Sequence, residues 1–485
     1  MKTSWKVGRA ALALCVMTCV VGCADGGIFG GSGGDDDIRV DTRPDTGDAP
    51  DAGDLSDAGE DAGLDDAGNL PDADDVPDAD TEPDTNTEPD TDVEPELTCA
   101  DILDTNSTWS LPLVGQAQLQ ARAAFDGEGV WVTYVQRPGE SGTPERVYAA
   151  KMGCDAELLV EPFEVSTSPE VRSLQASLAV SETTLFVVWS EDDLEGTVRA
   201  RAFDLDGTPR QAESFEVTPI LSSGGAVNTI WQPDVAVLDN DEAILAASAL
   251  TTEGARLVLQ RFNADGERLL DGFFPYAIDT YGDQTDPSVA ADDNRLITMS
   301  FVGGGFDTPR VYHGQILAGE TKATPAEAIV AHPTIDLNRG GRLSKGQNNG
   351  RHWLAYSGGV GFGNEIIVKD GSRMSAGSDT TSSAIANREA LLGDVAAGPT
   401  GGAVAWITRQ SSGTALNVHA RRFLANASGD FTSQAARVDL HTGDQARMPY
   451  GVSIDHVAGS VYVVLWGEGD APNTQRVRGR FVNLN

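Results

Sequence analysis

The sequence predicts an all-β protein, a β-propeller of seven four-stranded blades over residues 98–485, preceded by a disordered acidic linker. Three observations predict it. Beyond Cys99, short runs rich in Val, Leu, Ala and aromatic residues alternate with Gly, Asp and Pro, and no long stretch has a helical period. The runs "VWVTY", "LFVVW", "AILAAS", "LITMS", "HWLAY", "GAVAW" and "VYVVLW" end at Tyr134, Trp189, Ser248, Ser300, Tyr356, Trp406 and Trp466, at spacings of 55, 59, 52, 56, 50 and 60 residues. The last unit stops after its third strand, "VRGRFVNLN", while "STWSLPLVG" (107–115) stands unused ahead of the first.

Each unit reads as four antiparallel strands. A short segment such as "QASLAV", "QPDVAVL", "DPSVAA" or "LLGDVAAG" comes first, then a turn and the common run. A third strand with a Phe follows, as in "VRARAFDLDG" or "LVLQRFNADG", and a fourth run such as "FEVST" or "SFEVT" completes it. One such sheet exposes two apolar faces, and packing units around an axis covers both. Tandem β-sandwiches would need about 100 residues per unit, twice this period. The fourth and fifth units are degenerate, so the count of seven leaves six or eight as alternatives. If "STWSLPLVG" pairs with the last unit, the ring closes and the repeats form one domain, expected to act as a monomer.

The start of the chain is of another kind. Residues 1–23 carry a basic segment (Lys2, Lys6, Arg9), the apolar core "AALALCVMTCVV" and then "VVGC". This is the layout of an export signal, and a core this short falls well below the roughly 20 apolar residues that span a bilayer. Residues 24–97 are almost all Asp, Ala, Gly, Pro, Thr and Glu. Residues 24–98 hold 26 acids against Arg39 and Arg43, a large part of the net charge of −40. With Phe29 its one aromatic residue, this stretch has too little apolar surface to offset the entropy of ordering, and it is expected to stay disordered. As a flexible chain it would reach roughly 50 Å, further under self-repulsion. "GGSGG" (30–34) satisfies a nucleophile-elbow pattern, but it has no strand before it. A polyanion repels phosphate backbones, which argues against nucleic-acid partners.

Val20-Val21-Gly22-Cys23 resembles the lipobox of bacterial lipoproteins. The resemblance implies that Cys23 receives a diacylglycerol, that the leader is cut before it, and that further acylation gives a stable membrane anchor. Ala24 at the second mature position implies outer-membrane sorting by the family rule. With its Asp-rich tether and propeller-like repeats, the chain resembles the surface lipoproteins of myxobacteria and their relatives, a likeness of composition that implies no activity. The expected setting is the cell envelope, with the membrane as one partner and an envelope protein or glycan as the other. Cys15 and Cys19 leave with the leader, so Cys99 and Cys154 remain, and in an exported chain they are expected to form a disulfide.

No catalytic constellation emerges. His313, His332, His352, His419, His441 and His456 show no zinc spacing, and neither a phosphate loop nor a dinucleotide fingerprint is present. A sialidase-type glycosidase would show Ser-x-Asp-x-Gly-x-x-Trp boxes, and none occurs. Arg201, Arg261, Arg422 and Arg480 recur on third strands and are expected to cover aromatic neighbours and pair with acids. "DLDG" (204–207) and "NADG" (263–266) read as tight turns before they read as calcium sites, and Trp189, Trp406 and Trp466 as core. The loops after the second strands are polar and acidic, "RPGESGTPE" (137–145), "SEDDLEG" (190–196) and "GEGDAPNT" (467–474). Glu191, Asp192, Asp193, Glu195, Glu468 and Asp470 are therefore the candidate ligand-binding residues, for a cationic partner or one bridged by calcium. No cofactor is expected. The function expected is a binding or scaffolding module; the alternative is a propeller hydrolase of extracellular polymers, which should bring an acid pair and several arginines together in the central pocket.

Overall fold

A computed structural model describes the chain from residue 99 to 485, apart from 104, 106, 114, 140–141, 193–195, 218–228, 240, 305–309, 330–340, 347–349, 360–363, 372–379, 384–387, 411–415, 443–447 and 470–473. Cys23 and the linker lie outside the described residues. The described part is an all-β propeller of seven blades.

Second strands such as Gly129–Arg137, Thr184–Glu191 and Val461–Gly469 are buried on almost every residue, as mid-sheet strands packed on both faces must be. They are the recurring runs of the sequence. Their aromatic residues Trp131, Trp189, Trp353, Trp406 and Trp466 are fully buried. Hydrophobic clusters lie at each of the seven interfaces between consecutive blades, including that between the last blade and the first. The cluster joining blades four and five is the smallest, with Val311, Leu343, Leu354 and Tyr356 among its few members. The first strand of blade five has only two residues, Arg342–Leu343. These are the two units whose sequence is degenerate.

The first strands form the inner ring: Ala117–Phe125, Ser173–Val180, Thr229–Asp239, Thr285–Ala291, Arg342–Leu343, Arg388–Gly398 and Met448–Ala458 touch in succession and return to the start. Closure is as the sequence predicts. Thr108–Ser110 pairs with Arg476–Asn483 as the outer strand of blade seven, in the register Trp109 opposite Gly479. Trp109 is buried there, 6.3 Å from the Phe481 ring. Gly479 has to be glycine, because a Cβ would enter the Trp109 indole. Cys99 and Cys154 are disulfide-bonded across 55 residues, with Cα atoms 5.4 Å apart.

Candidate functional site in the central channel

The site grows from a repeated backbone irregularity. In six of the inner strands the register with the second strand slips, between Leu119 and Arg122, Leu174 and Ser177, Trp231 and Asp234, Thr285 and Ser288, Ala390 and Leu392, and Tyr450 and Val452. Such a slip is a β-bulge, which bends a strand and re-aims its side chains. In five of these strands the bulge holds a residue at positive φ: Gln120, Gln175 and Gln232 at 54°, Asp286 at 49° and Gly451 at 67°. L-residues rarely adopt that conformation, so the side chains must supply compensating bonds.

They do so as a staircase. Gln120 Oε1 accepts from the Gln175 N–H (2.8 Å), Gln175 Oε1 from the Gln232 N–H (2.9 Å), and Gln232 Oε1 from the Asp286 N–H (2.8 Å). Ser190 and Ser248 on the second strands donate to the same Gln175 and Gln232 oxygens. Asp286 ends the run by accepting from Arg342 Nη2 at 3.0 Å. Each step ties one blade to the next.

Two residues after the positive-φ residue of each of those five bulges stand Arg122, Ser177, Asp234, Ser288 and Ser453, and these line the cavity at the axis together with Asp394, Arg342, Lys345 and Asp455. Asp234 is the hub. Its Oδ1 accepts from Ser177 Oγ (2.6 Å), and its Oδ2 from Ser288 Oγ (2.9 Å), the Val289 N–H (2.9 Å) and Lys345 Nζ (2.5 Å). Burial alone would raise its pKa, but the Lys345 ammonium and Arg342 guanidinium outweigh that and hold the carboxyl well below the usual range. On the opposite side, Asp394 Oδ2 accepts from the Ile454 N–H (3.1 Å) and Asp455 Oδ2 from the Phe125 N–H (2.7 Å). Burial pushes Asp455 up to about 7, and the Asp394 charge adds to the effect. Arg122 is pushed down by burial and by the like charge of Arg342.

The cavity these groups enclose measures about 30 Å³. That volume accepts roughly two waters, or one small polar group of the same size. Chemically it offers guanidinium and ammonium donors, and a carboxyl poised to take or release a proton near neutrality.

Of the residues expected from the sequence, the described ones, Glu191, Asp192 and Glu468, do not line this cavity. Glu191 belongs to the second strand of blade two rather than to a rim loop; it is 2% exposed, and its carboxylate accepts from Arg199 Nε at 3.1 Å and Trp189 Nε1 at 3.4 Å. Asp192 is exposed, 3.6 Å from Arg172. Glu468, on the second strand of blade seven, is 3.5 Å from Arg478 and 3.9 Å from His441. Asp193, Glu195 and Asp470 lie outside the described residues. Among the described residues no group of three His, Cys, Asp or Glu could hold a metal ion. The third-strand arginines are structural: Arg201 covers the Phe203 ring at 5.2 Å, Arg261 pairs with Glu242 at 2.6 Å, and Arg480 donates to the Thr105 carbonyl at 3.3 Å. "DLDG" and "NADG" are turns with Gly207 and Gly266 at φ 88° and 79°. The channel residues were visible in the sequence only as the polar positions opening "QASLAV", "QPDVAVL" and "DPSVAA".

No family profile matches the chain, and no curated protein matches it. Among solved structures it is similar to a protein of unknown function from Dyadobacter fermentans, at 12% identity over 79% of this chain and 99% of that one, with a TM-score of 0.46. It is also similar to the GH93 α-L-arabinofuranosidase of Fusarium graminearum, at 14% identity over 78% of this chain and 98% of that one, TM-score 0.43. A third is a Trypanosoma rangeli sialidase, at 8% identity over 70% of this chain and 58% of that one, TM-score 0.41. The propeller assignment stands on the strand topology itself.

Proposed function

We propose that this chain is a lipid-anchored protein of the bacterial cell envelope whose propeller is a binding module. Cys23 is the anchor, residues 24–97 are the spacer, and the propeller presents its channel to a ligand or partner. The observation that supports this most is the convergence of Arg122, Asp234, Arg342, Lys345, Asp394 and Asp455 on one enclosed space. Charged side chains are gathered at an axis only at a desolvation cost, which a purely structural ring of serines and glutamines would avoid. The test is retention: the full chain, presented to envelope extracts and glycans, should hold a specific partner that competes with small charged solutes, and no retained partner and no solute binding would remove the reading. The anchor is tested separately. A Cys23→Ala chain should leave the membrane fraction, and one that stays there refutes lipidation.

A hydrolase is the second reading, favoured by one observation. Asp394 and Asp455 share the cavity with Arg122 and Arg342, and the Asp455 carboxyl is held near neutrality by burial and by Asp394. A carboxyl raised into the neutral range beside a second carboxyl is what general acid chemistry uses. Space weighs against it: pockets for sizeable ligands measure about 300–1,000 Å³, and this cavity about 30 Å³. Aryl glycosides and peptide anilides should show no turnover by the full chain. Turnover abolished by both Asp394→Asn and Asp455→Asn would instead establish the hydrolase.

A further inference from the structure

The three cations of the channel are not equally matched. Lys345 Nζ lies 2.5 Å from Asp234 Oδ2 and also donates to the Val289 carbonyl at 2.9 Å. Arg342 lies 3.0 Å from Asp286 Oδ1 and donates to the Pro287 carbonyl at 3.3 Å. Arg122 has no carboxylate at ion-pair distance among the described residues, Asp394, Asp234 and Asp286 acting on it only at longer range, and the one hydrogen bond of its guanidinium there is a long 3.5 Å donation from Nη1 to the Val452 carbonyl. A guanidinium carries five donors in a fixed fork. Most of this fork is therefore left without a protein acceptor among the described residues, on a side chain that lines the cavity together with Arg342 and Lys345. The void of about 30 Å³ matches the two oxygens of a carboxylate, and little more.

We infer that the channel is a carboxylate-binding site, with the guanidinium of Arg122 taking the two oxygens in a bidentate grip and Asp455 donating a third hydrogen bond. The assignment rests on the binding-module reading and names the chemistry of its ligand: a small organic acid, or the carboxylate end of a larger molecule entering the channel. Asp455 decides when the grip is complete. The groups facing it are Asp394 from the inner strand of blade six, Arg122 from that of blade one, Asp234, Arg342 and Lys345 across the cavity, and its own blade's Tyr462, while the His456 backbone N–H donates to its Oδ1 at 2.9 Å. Protonated, Asp455 is a donor; ionised, it stands beside Asp394 as a second negative charge and repels the ligand. Burial and Asp394 push it to about 7, so the site is expected to fill below neutrality and empty above it.

The experiment is titration of the full chain with acetate, using acetamide as the neutral isostere, sulfate as a competing anion and a buffer free of carboxylates. Acetate should bind saturably at pH 6 and acetamide should not. Binding should weaken by up to about 30-fold at pH 8.5, the change in the protonated fraction of a group with a pKa of about 7. Arg122→Gln should weaken it at least about tenfold, the loss of a charge-assisted pair, and Arg122→Lys should recover only part. Asp455→Asn should bind at both pH values alike. Equal binding of acetamide, equal or tighter binding of sulfate, or the absence of saturable acetate binding to the unaltered chain would overturn the assignment without any variant having to fold. An envelope partner retained regardless of acetate and of Arg122→Gln would also overturn it while leaving the binding-module reading intact.

Discussion

Asp234 holds more of the channel together than any other side chain, since it receives Ser177 from blade two, Ser288 and the Val289 N–H from blade four and Lys345 from blade five. Removing one member of a buried ion pair leaves the other charge uncompensated, so Asp234→Ala should cost about 3–5 kcal/mol in urea unfolding. Pairing it with Lys345→Met should recover part of that loss; a double variant no better than the single one would show that the ammonium has other support. The pH dependence follows from the sign of each shift. Asp234 is depressed, so its stabilisation is complete above the unfolded value of about 3.9 and lost as pH falls further. His313, pushed down to about 4 by burial and the Lys369 charge, contributes above about 6.5 and is lost as pH falls through 4. Asp455 runs the other way: raised to about 7, it favours the fold fully below about 3.9 and loses that contribution as pH rises through 7. Asp455→Asn should therefore flatten the fall in thermal midpoint between pH 5 and 8, and an unchanged slope would place that titration elsewhere.

At the scale of the element, the inner strands are unusual because they carry glutamine where positive φ normally selects glycine. Gln175 supplies the acceptor for the Gln232 N–H and takes the strain of φ 54° in return. Gln175→Ala should lose about 1–3 kcal/mol, because it orphans a donor and keeps the strained backbone. Gln175→Gly orphans the same donor but relieves the strain, and should lose less; chemical denaturation of the two separates bond from backbone, and a larger loss for glycine would mean that the strain is slight. The same feature explains what could be read from sequence. The second strands were legible because hydrophobic burial on both faces writes itself as runs such as "LFVVW", and the turns because Asp-Gly supplies its own φ. Bulged glutamines leave no such mark, since their role depends on a neighbour more than fifty residues away. Charged clusters are harder still: Asp234 and Lys345 are 111 residues apart and meet only because the ring brings blades three and five to one axis. The acids at 190–196 and 467–474 are legible because they form local runs, yet Glu191 and Glu468 are set against Arg199 and Arg478 of their own blades.

For the whole molecule the weak point of a ring is where its ends meet, and here the closing strand is only three residues long, Thr108–Ser110. Its hold comes from burial of Trp109 over Gly479 and beside Phe481 and from the adjoining Leu111 N–H, which donates to the Val477 carbonyl at 3.3 Å; Gln118 ties blade one to blade seven separately, its Oε1 accepting from the Val477 N–H at 3.0 Å and its backbone N–H donating to the Gln475 carbonyl at 2.8 Å. Gly479→Ala should weaken closure by driving a methyl group into the indole. The disulfide bears on the same point. Because Cys99 precedes the closing strand and Cys154 lies in blade one, a pull arriving along the chain at residue 99 passes into blade one and bypasses Trp109. Closing a loop of 55 residues also constrains the unfolded chain, by about 4 kcal/mol on the entropy model. Under tension applied from an N-terminal handle, the oxidised protein should therefore show no early extension before a blade unfolds. Reduced protein, or Cys154→Ser, should first release residues 99 to 116, roughly 60 Å of chain, as the strand peels from blade seven. Single-molecule force spectroscopy reads that step directly, and an identical first extension with and without reductant would mean that the disulfide does not carry the load.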